Sequence, residues 1–121
     1  MRTPILLLAA MLLTLPAGEA LAHARLLKSD PAPGSTLAHP PRQLVLRFSE
    51  VIRPNASGVR LTGPDGKSTV LGPLMRSPHD PDIVIVNAPA DLGPGRYKVE
   101  WKALSPDGHH TQGIFGFTVG P

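Results

Sequence analysis

Two separated parts of the chain carry side chains that could hold a metal ion. The first is His23, which follows residues 20–22 (ALA), a small-residue pattern typical of a leader-peptide cleavage site. Cleavage there would leave His23 with a free α-amino group beside its imidazole, and these two nitrogens can chelate one ion in a six-membered ring. Both nitrogens bind a metal in their deprotonated form. Alone this signal is weak, because some residue must follow every cleavage site.

The second part is the polar turn at residues 105–110 (SPDGHH), which lies between two apolar segments. Asp107 and His109 are two positions apart, so in extended geometry their side chains project to the same side. Gly108 between them adds backbone freedom. A carboxylate oxygen and an imidazole nitrogen placed in this way can bind a metal. The alternative is a solvated turn in which Asp107 accepts backbone N–H groups, and His110, on the other side, is expected to face solvent.

Together the two parts offer three nitrogen donors and one oxygen donor. A four-coordinate tetragonal site of nitrogen and oxygen favours Cu(II), which the Irving–Williams order also places above Zn(II) and Ni(II). The sequence contains no cysteine, which excludes a disulfide framework, a thiolate zinc site and a cysteine nucleophile. We therefore expect one Cu(II) ion per mature chain, held by His23, Asp107 and His109.

Residues 1–22 have the parts of a secretory signal peptide. Arg2 supplies positive charge, an apolar run of 11 residues follows at positions 5–15, and Pro16 ends that run before the cleavage pattern. The run is too short to cross a membrane, which takes about 20 residues. We expect cleavage after Ala22. This would release residues 23–121 as one exported domain that does not itself span the membrane.

The elements that must position the metal ligands are predicted to be strands. The chain has 12 glycines and 15 prolines among 121 residues, too many for long helices, while its 41% of hydrophobic residues exclude a disordered chain. A net charge of +3 is too small to indicate nucleic-acid binding. Alternating apolar residues and turn signals mark seven strands, at 24–29, 43–49, 58–62, 67–71, 82–87, 95–104 and 112–119. This pattern predicts an all-β, immunoglobulin-like sandwich, with an open barrel as the alternative.

Tyr97 lies near the start of the most regularly alternating strand, directly after the turn at residues 92–95 (LGPG). A tyrosine at such a strand entry can form a tyrosine corner, in which its hydroxyl bonds back to the backbone a few residues upstream. The alternative for Tyr97 is an ordinary aromatic contact in the core.

Segments spread along the chain resemble, in order, the CopC family of copper-resistance proteins. They are residues 23–26 (HARL), 29–35 (SDPAPGS), 46–50 (LRFSE), 95–101 (GRYKVEW), 105–109 (SPDGH) and 113–119 (GIFGFTV). The resemblance implies a seven-stranded Greek-key β-barrel or sandwich that binds Cu(II) in the periplasm and is not an enzyme. A cupredoxin-like topology is also compatible with it. Carried over to this chain, the family's metal ligands would be His23, Asp107 and His109.

The resemblance also implies a role and partners. The protein would capture Cu(II) for copper homeostasis or resistance, act as a monomer, and hand the ion to an inner-membrane copper transporter of the CopD type. Glu50 matches an acidic residue near the family's Cu(II) site and could orient His23, or it could be an exposed carboxylate at a strand end. Some members carry a methionine-rich Cu(I) loop. Met75 is the one methionine after residue 22, so a Cu(II)-only member is expected.

Two other functions stay open at this point. An N-terminal histidine with a second histidine also resembles the copper site of lytic polysaccharide monooxygenases, although those domains are longer and leave copper positions open for oxygen. The other alternative is a metal-free β-sandwich that mediates protein–protein contacts. Reductant-dependent peroxide production would support the enzyme. Loose Cu(II) binding that does not depend on Asp107 would support the metal-free module.

Overall fold

A computed structural model of the protein describes residues 23–121, which form two packed β-sheets. The predicted signal peptide, residues 1–22, lies outside the described residues. The strands are β1 Leu26–Asp30, β2 Thr36–Leu37, β3 Gln43–Phe48, β4 Gly58–Thr62, β5 Ser68–Leu71, β6 Met75–Arg76, β7 Ile83–Asn87, β8 Gly95–Leu104 and β9 His110–Val119. The predicted all-β fold is confirmed, and the two-residue strands β2 and β6 add to the seven predicted strands.

The chain crosses repeatedly between the two sheets, while β4–β5, β6–β7 and β8–β9 are hairpins within one sheet. One sheet has the order β1-β3-β7-β6, and the other has the order β2-β9-β8-β4-β5. Strand β2 runs parallel to β9, and the remaining pairs are antiparallel. This connectivity agrees with the Greek-key sandwich that the family resemblance implies. Within residues 23–121 no helix is long and apolar enough to cross a bilayer.

The hydrophobic core lies between the sheets and takes every second residue of the main strands. Leu44, Leu46 and Phe48 of β3 are at most 2% exposed, while the residues between them face outward or are half-buried. Val99 of β8 and Phe117 of β9 cover them from the other sheet and are equally buried. Period-2 alternation therefore sets which face of each strand is apolar, and burial of those faces holds the sheets together.

Tyr97 forms the predicted corner contact. Its hydroxyl donates a 2.7 Å hydrogen bond to the carbonyl oxygen of Gly93, and its ring stacks on Phe117 with centroids 5.3 Å apart. Burial, followed by the nearby charge of Asp65, raises the pKa of the Tyr97 hydroxyl above its ordinary value. The contact fastens the turn before β8 to the core.

The hairpin of β8 and β9 is the element that carries the predicted ligand loop. Its strands pair over ten residues each, from Gly95 opposite Val119 to Leu104 opposite His110. Within it the ring of Trp101 lies over Gly113, where a Cβ atom would come within 2.6 Å of the indole. A glycine is therefore required there for close packing. The register places residues 105–109 at the tip of this hairpin.

Candidate metal centre

The tip of the hairpin, residues 105–109, is closed by its own hydrogen bonds. Ser105 donates its backbone N–H to the carbonyl of His109 at 2.9 Å, and Gly108 donates to the carbonyl of Ser105 at 3.0 Å. Gly108 has φ +88°, in the left-handed region that a glycine adopts without steric cost. The backbone N–H of His109 also donates to Oδ1 of Asp107 at 3.1 Å. These bonds hold the carboxylate of Asp107 and the ring of His109 side by side.

The start of the described chain lies against this hairpin. Ala24 is fully buried, and its N–H donates to the hydroxyl of Ser105 at 2.8 Å, across 81 positions of sequence. The hydroxyl of Thr111 donates to the carbonyl of Ala24 at 2.7 Å. One residue further on, Arg25 exchanges two hydrogen bonds with Ser49, its N–H to the Ser49 hydroxyl and its carbonyl to the Ser49 N–H. The N-terminal segment therefore brings His23 to the hairpin tip.

His23, Asp107 and His109 come together at this point. One potential ligand atom from each lies within 4.8 Å of the others. Oδ2 of Asp107 is 3.0 Å from Nδ1 of His109 and 3.8 Å from Nδ1 of His23. The two imidazole rings meet edge to face at 89°, with centroids 4.8 Å apart. Donors about 2 Å from one ion lie roughly 3–4 Å apart, so small side-chain rotations would complete a coordination sphere.

The Nδ1 atom of His23 is available to bind a metal ion. It is buried, and it has no hydrogen-bond partner within residues 23–121. A buried nitrogen without a partner costs about 1–3 kcal/mol, and a metal ion would satisfy it. Two imidazoles and a carboxylate are also the donors that borderline divalent metals prefer. The residues present therefore fit a borderline divalent metal ion such as copper.

The charge of the cluster comes from Asp107. The pKa of its carboxyl is lowered, first by the backbone N–H of His109, then by the ring of the same residue. The carboxylate therefore stays ionised at neutral pH and needs to lose no proton to bind a cation. Its side chain is 33% exposed and that of His109 67% exposed, so the cluster opens to solvent on one side.

The other residues named by the sequence lie in different places. Glu50 is half-buried in the turn after β3, next to Ser49, and no hydrogen bond or ion pair within residues 23–121 involves its side chain. Its proposed role beside His23 stays a prediction. His110 is exposed, as expected. Met75 is 44% exposed in β6, which belongs to the sheet that does not contain the hairpin.

Sequence reasoning did not identify the two residues that hold the N-terminal segment in the site. Ser105 and Thr111 bind the backbone of Ala24, a contact between distant parts of the chain. A hydroxyl that bonds to a remote backbone group leaves no periodicity or spacing signal in a single sequence. The one indication was that Ser105 opens the polar turn in which the ligands lie.

Comparison with known proteins defines the class of this all-β protein with a histidine–carboxylate cluster. A family model, the CopC domain, matches residues 26–120. Protein YobA of Escherichia coli (strain K12) is 36% identical over 98 residues, covering 81% of this chain and 79% of YobA.

Two solved structures resemble the fold. CopC from Methylosinus trichosporium OB3b has a TM-score of 0.73 at 29% identity, covering 82% of this chain and 95% of that one. PcoC, a methionine-rich copper resistance protein from Escherichia coli, has a TM-score of 0.69 at 30% identity, covering 81% and 99%. The chain belongs to the CopC family of copper-resistance proteins, which confirms the resemblance identified in the sequence.

Proposed function

We propose that the protein binds one Cu(II) ion and carries it without catalysing a reaction. Its ligands would be the α-amino and imidazole nitrogens of His23, the carboxylate of Asp107 and the imidazole of His109. The observation that carries this proposal is the buried, unpartnered Nδ1 of His23, 3.8 Å from an ionised carboxylate. Membership of a copper-resistance family supports copper over other divalent metals.

The chelate at His23 requires that residues 1–22 be removed. An α-amino nitrogen offers its lone pair directly, whereas the nitrogen of a peptide bond at the same position must first lose its N–H proton to bind a metal, which lowers the affinity. We therefore propose cleavage after Ala22 by export through a signal peptide, and a periplasmic location for residues 23–121. The apolar run at positions 5–15 and the small residues after it support this step.

The donor set favours oxidised copper. Cu(I) prefers the soft thiolate and thioether ligands of cysteine and methionine. This chain has no cysteine, and Met75 is the one methionine in residues 23–121. PcoC, by contrast, is described as a methionine-rich copper resistance protein. We propose that the present protein holds copper only as Cu(II).

Exposure of the ligands supports transfer of the ion to a partner. His109 is 67% exposed and Asp107 33% exposed, so an incoming ligand could reach the metal from the solvent side. A stepwise exchange of ligands would then move copper without unfolding the hairpin. We propose that the monomeric protein delivers copper to an inner-membrane transporter of the CopD type.

The exported protein tests the ligand set directly. Its N-terminal mass should begin at His23, and competition titration should give tight binding of one Cu(II) ion per chain. A variant with one alanine inserted before His23, and the variant Asp107→Asn, should each bind at least about 100-fold more weakly, since each loses a primary donor.

His110→Ala is the matched control, because it removes an exposed imidazole beside the site. It should bind Cu(II) as the natural protein does. Tight binding by the extended protein would show that the α-amino nitrogen is not a ligand. Equal binding by Asp107→Asn would remove the carboxylate from the site.

A further inference from the structure

The residue that follows His23 is held on both sides by the hairpin. Ala24 has no exposed surface, its N–H donates to Ser105, and its carbonyl accepts from Thr111. Both hydroxyls belong to the β8–β9 hairpin, which carries Asp107 and His109. From this geometry we propose that Ser105 and Thr111 are positioning residues that fix the N-terminal histidine in the metal site. This inference rests on the proposed function, because it assigns the preorganisation of that same site.

The hydrogen bond to Ser105 fixes the orientation of the peptide plane that joins His23 to Ala24. The nitrogen of Ala24 belongs to the same planar peptide group as the carbonyl carbon of His23. Once the direction of that N–H is set by the Ser105 hydroxyl at 2.8 Å, the plane can no longer rotate freely. What remains to be ordered on metal binding is ψ of His23, the torsion about its Cα–C bond, and its two side-chain torsions.

Thr111 supplies a second, independent constraint. Its hydroxyl lies in β9 and donates to the carbonyl of Ala24 at 2.7 Å. Two hydrogen bonds on opposite sides of one residue define both its position and its direction, which one bond would not. Preorganisation of this kind raises affinity by lowering the conformational entropy that binding must remove.

Ser105 also connects the two halves of the site. Its side chain holds Ala24, while its backbone N–H and carbonyl bond to His109 and Gly108 within the loop. The residue is completely buried, so water does not compete for these bonds. Displacement of Ser105 would therefore move the N-terminal donors and the loop donors relative to each other.

A purely structural role would be to attach the N-terminal segment to the sandwich. That task has a separate device, since Arg25 exchanges hydrogen bonds of 2.9 Å and 2.8 Å with Ser49. The Ser49 hydroxyl accepts one backbone N–H, as the Ser105 hydroxyl does, but one residue further from the chelate. Ser49→Ala is therefore a matched control that removes a similar bond without releasing Ala24.

The test compares five forms of the exported protein: the natural sequence, Ser105→Ala, Thr111→Val, Thr111→Ser and Ser49→Ala. Cu(II) affinity is measured by competition titration, and the ligand field by electron paramagnetic resonance. We expect Ser105→Ala and Thr111→Val each to weaken binding about tenfold and to broaden the copper spectrum. Thr111→Ser, which keeps the hydroxyl, should have the Cu(II) affinity and the spectrum of the natural protein. Ser49→Ala should also leave the affinity and the spectrum unchanged.

The metal-free protein gives a readout that does not depend on the proposed function. Proton nuclear Overhauser contacts between the rings of His23 and His109, and protection of the Ala24 amide from exchange, should persist in Thr111→Ser and Ser49→Ala. The ring contacts should be lost in Ser105→Ala and Thr111→Val, and the protection of the Ala24 amide should be lost in Ser105→Ala, which removes its acceptor. If the natural protein failed to bind Cu(II) yet showed this pattern, the proposed function would be overturned and the positioning role retained.

The positioning role itself would be overturned by either of two results. One is that Ser105→Ala and Thr111→Val keep the affinity, spectrum and ring contacts of the natural protein. The other is that Ser49→Ala weakens copper binding as much as they do, which would mean that general attachment of the segment is what matters. Thermal unfolding of each variant confirms that the sandwich itself is folded.

Discussion

At the scale of single residues, the proposed metal donors differ in the protonation change that each needs before it can bind an ion. Asp107 is ionised in advance by hydrogen bonds from His109. His23 presents a buried nitrogen that no group in residues 23–121 satisfies. The carboxylate thus supplies charge without a change of protonation, whereas the nitrogen ligands must be free of protons to bind. Acid should therefore act on the nitrogens before it acts on the carboxylate.

We expect copper to be released as the pH falls below roughly 5–6, where protons compete for the amine and the imidazoles. Asp107 remains ionised over this range because its pKa is lowered from 3.8. Copper release therefore requires that the nitrogen ligands take up protons and that Asp107 takes up none. Cu(II) occupancy measured by equilibrium dialysis between pH 7 and pH 4 tests this. Full occupancy at pH 4 would argue against the nitrogen-rich ligand set.

At the scale of elements, the β8–β9 hairpin connects the core to the site. Its buried face is part of the sandwich, its entry is fastened by Tyr97 to Gly93, and its tip carries Asp107 and His109. A long hairpin with one face in the core is stiff, since bending it would expose apolar surface. The proposed metal ligands can therefore lie in an exposed loop and still be well placed.

Replacement of Tyr97 by phenylalanine should change how stability depends on alkaline pH. The raised pKa of Tyr97 means that its stabilising effect is full below about pH 10, the unfolded value, and is lost as the pH rises through the folded value. Tyr97→Phe should cost about 1 kcal/mol at pH 8, through the lost bond to Gly93. Urea unfolding should show this difference shrinking above pH 10. A difference that stayed constant up to pH 11 would contradict the assignment.

At the scale of the whole molecule, copper would act as a cross-link between the N-terminal segment and the hairpin. Both ends of that link are already held by the hydrogen bonds of Ala24 to Ser105 and Thr111. An ion that binds the folded state and not the unfolded chain stabilises the fold by mass action. The size of that stabilisation depends on the free ion concentration relative to the dissociation constant.

Cu(II) at a hundredfold excess over its dissociation constant should stabilise the domain by about 2.7 kcal/mol. For a domain of this size that is a rise in melting temperature of roughly 10 °C or more. Calorimetry of the exported protein with and without Cu(II) measures the rise. The protein extended by one alanine before His23 is the control and should gain much less. An equal gain in both would mean that copper stabilises the fold from another place.

Much of this arrangement could be predicted from the sequence because it depends on local pattern. Alternation of Leu44, Leu46 and Phe48 with outward residues predicts β3, and the spacing of Asp107 and His109 predicts a shared face. The strands β2 and β6 were missed because two residues carry no period. Strand β9 also begins two residues earlier than predicted, at His110, because pairing with Leu104 extends it. Pairing partners of this kind are tertiary information.

The hydrogen bonds between the hairpin and Ala24 determine when the site can form during synthesis and folding of the chain. His23 is the first residue of the described chain, and its partners Asp107 and His109 lie near the last strand, with Ala24 and Ser105 81 positions apart. A chain interrupted before the end of β8 would contain His23 and yet have neither the carboxylate nor the second imidazole. Under the proposed ligand set, tight copper capture would thus be reserved for folded chains that include the hairpin, which would keep a reactive metal away from unfinished ones.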